Sequence, residues 1–306
     1  RPHPAHAPHG ELGQHADVTE FEGGMLVPGF VDLQTNGGNA ILFNDDPTPE
    51  GLARICSAQH ASGTTSLLPT LITDEPEITR AAIEAGIEAQ RRAIPGFAGL
   101  HLEGPHLARE RKGAHNPQYI RPMTAQDQTL LIKAKSELET LVVTLAPEAV
   151  DDRQIAELAR AGIVVSLGHS DASYERAQQA FRSGATMVTH LFNAMSQLGH
   201  REPGLVGAAL ENGIWAGIIA DGIHVHPAAL KLAMKAHTGP GQIFLVSDAM
   251  AQMGTSIESF ELNGRMVQRK DGALRLADGT LAGADLTMIE AVRFLHQNQL
   301  LRYKNL

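Results

Sequence analysis

Eight short apolar segments recur along the chain, and each of them ends at a polar residue or a turn. They cover residues 30–33, 64–68, 98–102, 141–145, 163–167, 185–189, 216–220 and 243–246. Helical patterns lie between them, at residues 49–61, 76–92, 125–135, 152–160, 172–182, 206–211 and 227–237. Strands that alternate with helices predict a parallel sheet, and eight of them predict a (β/α)8 barrel, in which functional groups lie at the carboxyl ends of the strands.

The segment 162–193 shows the pattern most clearly. Its two apolar runs end at His169 and His190, and the helix between them is predicted to begin at an Asp171 cap and end at Gly184. A helical crossover makes the two strands parallel, so their carboxyl ends lie side by side. The two imidazoles are therefore predicted to reach one metal ion, although a single histidine is more often a packed or surface residue.

Composition excludes several functional classes. The chain has 306 residues, 43% of them hydrophobic, which is enough for one large domain or two ordinary ones. A net charge of −9 argues against a nucleic-acid partner, which needs a basic face. Cys56 is the only cysteine, so no internal disulfide can form, and a reducing cytoplasm fits. No long apolar run or signal peptide is present, so no membrane partner is predicted.

The two ends of the chain depart from the alternating pattern. Residues 1–27 are rich in Pro, Gly and His and are predicted to be disordered or a remnant of a small β domain, whereas residues 28–306 form the barrel. After the eighth strand, residues 258–283 contain Asn-Gly and Asp-Gly, which are strong hairpin turns. A β-hairpin insertion is therefore predicted there, before a last helix at residues 286–297.

A catalytic metal site is predicted from three strand ends. Glu103 ends the third apolar segment, and with His169 and His190 it gives a set of two imidazoles and one carboxylate. Three protein ligands and an open position are typical of catalytic zinc, whereas a structural site takes a fourth ligand. The alternative for Glu103 is an ion pair with a nearby Lys or Arg.

Two further residues are candidates for the chemistry itself. Asp248 follows the eighth segment, where a carboxylate can take a proton from a metal-activated water and return it to a leaving group. The alternative for Asp248 is a helix cap. His115 lies in a loop with Gly113 and Pro117 and is a candidate donor to a substrate oxygen.

Loops after the sixth and seventh strands carry Asn193, Arg201 and His224. Loops near the last strands of a barrel often bind phosphate, and arginine suits bidentate phosphate contacts. The alternative for Arg201 is ordinary surface charge.

Together these motifs resemble the N-acetylglucosamine-6-phosphate deacetylase family of the amidohydrolase superfamily. The resemblance runs from about residue 24 to residue 297 and rests on PGFVDLQTNGG, GTTSLLPTLIT, GLHLEGPHL, KGAHNP, TLAPE, VSLGHSDA, THLFNAMSQLGHREPGLVG, GIIADGIHVHP and LVSDAM. It implies hydrolysis of the acetamide of N-acetyl-D-glucosamine 6-phosphate to D-glucosamine 6-phosphate and acetate, in amino-sugar catabolism.

The resemblance also implies a role for each site residue. Metal would be held by Glu103, His169 and His190, and Asp248 would be the acid and base. The sugar site would be lined by Ala114, His115, Asn193, Ala194, Leu281, Ala282 and Gly283. The 6-phosphate would be held by His224 and by Arg201, the latter across the interface of a homodimer.

The sequence departs from the wider superfamily at Gln34-Thr35-Asn36, where many amidohydrolases have a His-x-His pair that binds a second metal. Neutral amides are weaker zinc ligands than imidazole, so one divalent ion is predicted: Zn²⁺, with Fe²⁺, Co²⁺ or Mn²⁺ as alternatives. The resemblance also implies a small β-sandwich built from both ends of the chain, of which the sequence is expected to hold a remnant, with the rest either trimmed or lying in segments beyond this sequence.

Three other functions remain open from the sequence. A deacetylase of N-acetylgalactosamine 6-phosphate differs only in the orientation of one substrate hydroxyl. A cyclic-amide hydrolase is disfavoured, because the fourth segment ends in TLAPE without the lysine that such enzymes often carry. A non-catalytic barrel that binds sugar phosphates is disfavoured because every expected reacting residue is present.

Overall fold

The computed structural model describes residues 27–300. Its strands are β1 (Phe30–Thr35), β2 (Gly37–Gly38), β3 (Ile41–Leu42), β4 (Thr64–Ile72), β5 (Leu100–Glu103), β6 (Leu141–Leu145), β7 (Val164–Leu167), β8 (Met187–Val188), β9 (Trp215–Ile218), β10 (Ile243–Leu245), β11 (Ser259–Leu262), β12 (Arg265–Lys270), β13 (Ala273–Arg275) and β14 (Leu281–Ala284). Its helices are α1 (Pro49–His60), α2 (Pro76–Arg91), α3 (Ala125–Glu137), α4 (Asp152–Arg160), α5 (Tyr174–Ser183), α6 (Gly204–Asn212), α7 (Pro227–Ala236) and α8 (Met288–Gln297), with a 3₁₀ turn at Arg109–Arg111.

Eight of these strands form one sheet in the order β1-β4-β5-β6-β7-β8-β9-β10, and every neighbouring pair is parallel. The sheet closes on itself after β10, where the Asp248 amide donates to the Gln34 carbonyl at 2.9 Å. The Asn36 amide likewise donates to the Ala249 carbonyl at 2.7 Å. The prediction of a (β/α)8 barrel is therefore confirmed, and the predicted strands and helices all appear in their predicted order.

Local sequence signals set where the helices begin and end. Prolines occupy the first turn of α1, α2 and α7, where their missing amide proton costs no hydrogen bond. The predicted Asp171 cap of α5 is wrong, because the Ser173 side chain accepts from the Arg176 amide instead. Asp171 instead forms an ion pair with Arg111, whose guanidinium lies 2.7 Å from the Asp171 carboxylate. Gly184 does end the helix, at a φ of 121°.

The barrel interior changes character from the amino to the carboxyl ends of its strands. Buried Leu68, Val142 and Met187 form an apolar cluster low in the barrel. Thr70 and Thr144 lie two residues further along the same strands, Thr189 directly follows β8, and all three are also buried. Because side chains alternate along a strand, these threonines face the same interior one layer higher.

The excursion after β10 is a four-stranded antiparallel sheet, β11-β12-β13-β14. Its tight turns contain Asn263-Gly264 and Asp271-Gly272, and all four residues have positive φ, as the Asn-Gly and Asp-Gly hairpin signals predict. Its buried side chains form one cluster with barrel residues: Leu42, Ile72, Met250, Ala251, Leu262, Val267, Leu274, Leu276 and Ala282. This small sheet therefore packs against the end of the barrel at which the polar residues lie.

Within residues 27–300, no helix is both long and apolar enough to cross a bilayer. The predicted β-domain remnant at residues 1–27 falls almost wholly outside the described part of the chain, as do residues 301–306.

Candidate metal centre and active site

A pocket of about 490 Å³ opens at the carboxyl end of the barrel. The predicted site residues that line it are Glu103, Ala114, His115, His169, His190, Asn193, Ala194, His224, Asp248, Leu281 and Gly283. Two predicted residues lie elsewhere. Ala282 is buried in the core of the small sheet, and Arg201 is exposed outside the pocket. The structure thus brings together residues that are as far apart in sequence as Glu103 and Gly283.

Glu103, His169 and His190 meet at the centre of the pocket. Glu103 Oε1 lies 3.0 Å from His190 Nε2 and 3.2 Å from His169 Nε2, and the two nitrogens are 3.1 Å apart. Glu103 is the last residue of β5, and both histidines have positive φ where the chain turns away from its strand. Such backbone conformations are concentrated at functional sites. All three side chains are buried, and together they could hold one metal ion.

The hydrogen bonds of the histidines fit a bound cation. The Arg111 carbonyl can only accept, so the 2.8 Å bond to His169 Nδ1 places the ring proton there and leaves the lone pair on Nε2. His190 Nδ1 has no partner among the described residues. The lone pair of His169 Nε2 and the carboxylate of Glu103 therefore face one point beside His190 Nε2, where positive charge is favoured. A proton can supply that charge, because burial lowers the pKa of His190, but the hydrogen bond and the negative charge of Glu103, together with the charge of Asp248, outweigh burial and raise that pKa.

Asp248 faces this cluster from the other side of the pocket. The amide of Asn36 donates to Asp248 Oδ1 at 2.7 Å, and the amide of Gln34 donates to the same oxygen at 3.2 Å. Gln34 also lies 3.3 Å from Glu103 Oε1, so one amide group joins the two carboxylates. Burial and the negative charge of Glu103 raise the pKa of Asp248 to about 6. A carboxyl group with that pKa can both take and release a proton near neutral pH.

His115 is held in one tautomer. The amide of Thr73 can only donate, so His115 Nδ1 accepts at 3.3 Å and the neutral ring carries its proton on Nε2. The Thr73 hydroxyl lies 2.8 Å from the same Nδ1 atom. Burial and the neighbouring His169 hold the pKa of His115 well below its usual value, so the ring is neutral at pH 7. Its Nε2 atom, 3.8 Å from Glu103 Oε2, is a donor that faces the centre of the site.

The outer part of the pocket carries three positively chargeable groups. His224 is bound to Asp221 at 2.6 Å, and Arg111 is paired with Asp171. Arg275 also lines the pocket, and its guanidinium donates to the Gly279 carbonyl at 2.9 Å. Arg275 has no carboxylate partner among the described residues, which makes it an uncompensated cation within one chain.

Thr73, Arg111 and Arg275 were missed by sequence reasoning. Thr73 was missed because the second apolar segment was predicted to cover only residues 64–68, whereas β4 continues to Ile72 and makes Thr73 the polar residue that follows it. Arg275 lies in the excursion, where no periodic signal shows which side chains face the barrel.

The sequence profile of the Amidohydrolase family matches residues 25–301. The chain belongs to the amidohydrolase family.

Within that family it is similar to deacetylases of N-acetylated hexosamine 6-phosphates. It is 42% identical to the N-acetylgalactosamine-6-phosphate deacetylase of Shewanella sp. (strain ANA-3), over 89% of this chain and 68% of that protein. It is 36% identical to the N-acetylglucosamine-6-phosphate deacetylase of Haemophilus influenzae, over 94% of this chain and 75% of that protein.

Two solved structures of N-acetylglucosamine-6-phosphate deacetylases superimpose on this chain. The N-acetylglucosamine-6-phosphate deacetylase from Pasteurella multocida superimposes with a TM-score of 0.85 at 39% identity, over 90% of this chain and 72% of that chain. A variant of the Mycobacterium smegmatis N-acetyl-D-glucosamine-6-phosphate deacetylase, in complex with N-acetyl-D-glucosamine 6-phosphate, superimposes with a TM-score of 0.83 at 33% identity, over 91% of this chain and 73% of that chain.

Proposed function

We propose that this chain hydrolyses the acetamide of N-acetyl-D-glucosamine 6-phosphate, giving D-glucosamine 6-phosphate and acetate. The observation that carries the proposal is the convergence of Glu103, His169 and His190 within 3.0–3.2 Å of one another, facing Asp248 in an amidohydrolase barrel. A divalent cation held there, Zn²⁺ in our proposal, would acidify water and polarise the amide carbonyl. The two amides of Gln34 and Asn36 are poor ligands, so we propose one cation per chain.

The residues around the cation site have separate tasks. Asp248 accepts the proton of the attacking water as its oxygen bonds to the acetyl carbon. His115 donates its Nε2 proton as a hydrogen bond to the carbonyl oxygen, which becomes negative as the tetrahedral intermediate forms. Asp248 then gives the proton to the amine nitrogen as the carbon–nitrogen bond breaks, and acetate leaves. The raised pKa of Asp248, about 6 in the metal-free protein, suits a group that takes and returns a proton near neutral pH.

The remaining pocket residues would bind the sugar phosphate. We propose that Asn193 and the backbone at Ala114, Ala194, Leu281 and Gly283 contact the sugar, and that His224 contacts the 6-phosphate. Arg201 is exposed, so we propose that it reaches the phosphate bound by the other subunit of a homodimer. A cytoplasmic location agrees with a buried, reduced Cys56.

A second substrate has support of its own, because the relative with 42% identity is named N-acetylgalactosamine-6-phosphate deacetylase. Acetate release should therefore be measured with metal-replete protein on N-acetylglucosamine 6-phosphate, N-acetylgalactosamine 6-phosphate and unphosphorylated N-acetylglucosamine. We expect release from at least one phosphorylated sugar, with a much higher KM for the unphosphorylated one. Binding without any acetate release would instead identify a non-catalytic sugar-phosphate-binding barrel.

A further inference from the structure

A layer of buried polar side chains lies directly beneath the proposed cation site. It consists of Thr70, His101, Thr144, Ser166 and Thr189, each at most 1% exposed. Four belong to β4, β5, β6 and β7, and Thr189 directly follows β8. None of them lines the pocket. A buried polar group that lacks a hydrogen-bond partner is costly, so a layer of this kind must satisfy itself.

The layer does so through one continuous chain of hydrogen bonds. Thr70 Oγ1 lies 3.3 Å from His101 Nδ1, and His101 Nε2 lies 2.7 Å from Thr144 Oγ1. Thr144 Oγ1 is 2.5 Å from Thr189 Oγ1, which is 2.6 Å from Ser166 Oγ. Thr144 is in the middle of this chain, because its single hydroxyl joins the imidazole of β5 to the hydroxyl that follows β8.

Three residues of this layer lie one to three residues before the proposed metal ligands in the sequence. His101 is two residues before Glu103 on β5, so the two side chains face the same interior. Thr189 directly precedes His190, and Ser166 is three residues before His169. In the strand register, Thr144 is the partner of both Glu103 and Ser166. A shift of either end of the hydrogen-bonded chain would therefore move a ligand.

We propose that Thr144 is a positioning residue for the cation site: its hydroxyl fixes the ends of β5 and β8 relative to each other, so that Glu103 and His190 converge. The inference rests on the proposed function, in which Glu103 and His190 are metal ligands. Thr144 touches neither cation nor substrate. Its effect passes through His101 and Thr189, which it holds by hydrogen bonds in a medium where no water can replace them.

The test compares three substitutions of buried threonines. Thr144→Val removes the hydroxyl but keeps the branched shape, and Thr144→Ser keeps the hydroxyl. Thr64→Val is the matched control, because Thr64 is a fully buried residue of β4 whose hydroxyl has no partner among the described residues. The measurement is the Kd for Zn²⁺ by competition with a chromophoric chelator, without substrate. The free energy of unfolding of the metal-free protein is measured beside it.

We expect Thr144→Val to bind Zn²⁺ about 10- to 100-fold more weakly than the wild type, the usual effect of losing an outer-shell partner. Thr144→Ser should stay within about threefold of the wild type, and Thr64→Val should not change the Kd. A Thr144→Val protein that is merely less stable, with an unchanged Kd for Zn²⁺, would overturn the proposal.

A second variant keeps the test decisive if Thr144→Val does not fold. Ser166→Ala removes only the last link of the hydrogen-bonded chain, and it should weaken Zn²⁺ binding in the same direction but less. An unchanged Kd in folded Ser166→Ala would then overturn the role of the layer. Failure of the proposed function is a different result, because in that case the wild type itself would fail to bind Zn²⁺ or to release acetate.

Discussion

Glu103 and Asp248 are both buried carboxyl groups, yet their surroundings shift their pKa values in opposite directions. Burial raises the pKa of Glu103, but its interactions with His169 and His190 together outweigh burial and hold the pKa well below its usual value. Asp248 accepts from neutral amides only, and its pKa is raised to about 6. The first group is therefore suited to remain an anionic ligand, and the second to exchange a proton.

The substitution Asp248→Asn tests this division of roles. The new side-chain carbonyl can still accept from the amide of Asn36, but the side chain can no longer take a proton. We expect kcat for acetate release to fall by about 10²–10⁴ or more. The metal content of the variant, measured by elemental analysis, should remain that of the wild type. Turnover near the wild-type rate would remove Asp248 from the reaction.

Asp32 gives a pH prediction for stability. Burial raises its pKa to about 7, against donors from Ser247 and Gln34 that lower it. Between about pH 4 and pH 7, the folded protein therefore keeps a proton that the unfolded chain releases, and stability falls as pH rises through that window. Above pH 7 the cost is on the order of 4 kcal/mol.

Asp32→Asn should cancel this pH dependence, because asparagine is neutral at every pH. The free energy of unfolding of variant and wild type, measured by urea denaturation of the metal-free proteins, should shift in favour of the variant between pH 5 and pH 8. A difference between the two proteins that stays constant across that range would show that Asp32 is ionised in the folded state.

At the scale of secondary-structure elements, the four-stranded sheet β11–β14 supports the loop that carries His115. The guanidinium of Arg265 on β12 donates to the Ala114 carbonyl. Arg265 is partly buried, and its Nε atom has no partner among the described residues. The excursion thus fixes one wall of the active site rather than extending away from the barrel.

Arg265→Met keeps the aliphatic length of the side chain and removes the donor. We expect KM for the phosphorylated sugar to rise about tenfold, since a hydrogen bond from a charged group contributes roughly 1.5–3 kcal/mol. Arg269→Met is the matched control: Arg269 lies on the same strand but pairs with Asp285 and not with the loop. Equal changes of KM in the two variants would contradict the supporting role of Arg265.

The barrel could be predicted from the sequence because its strands and helices are local patterns, and because carboxyl ends of parallel strands share one edge of the sheet. His169, His190 and Asp248 were found for that reason. The contacts that orient them could not be predicted. The hydrogen bonds from His169 to the Arg111 carbonyl and from Arg265 to the Ala114 carbonyl involve loops whose paths depend on tertiary packing. The predicted cap of α5 was wrong for a similar reason, because Asp171 pairs with Arg111, which is distant in the sequence.

At the scale of the whole molecule, two arginines are candidates for neutralising the substrate phosphate, one from the same chain and one from the other subunit of a dimer. Arg201 is exposed outside the pocket of its own chain, whereas Arg275 lines that pocket. If Arg201 acts across a dimer, its loss should raise KM for the phosphorylated sugar far more than for the unphosphorylated one. Kinetics of Arg201→Ala on both sugars measure this. Equal effects on both would remove Arg201 from phosphate binding.

Mixing an inactive variant with one that has lost its phosphate contact shows whether Arg201 acts between subunits. In a heterodimer of Arg201→Ala and Asp248→Asn, one site combines an intact Asp248 with an intact partner arginine, so random mixing should restore about a quarter of wild-type activity per chain at low substrate. No recovery in mixed dimers would place Arg201 on the site of its own chain. Variants refolded separately and then combined serve as the control.

The convergence of three ligands on a single cation is tested most directly by an anomalous-difference map of a crystal grown with Zn²⁺, collected at the zinc absorption edge. We predict one strong peak, within bonding distance of Glu103, His169 and His190, and no second peak beside Gln34 and Asn36. A map without a peak among those three side chains, or with two peaks in the pocket, would contradict the account.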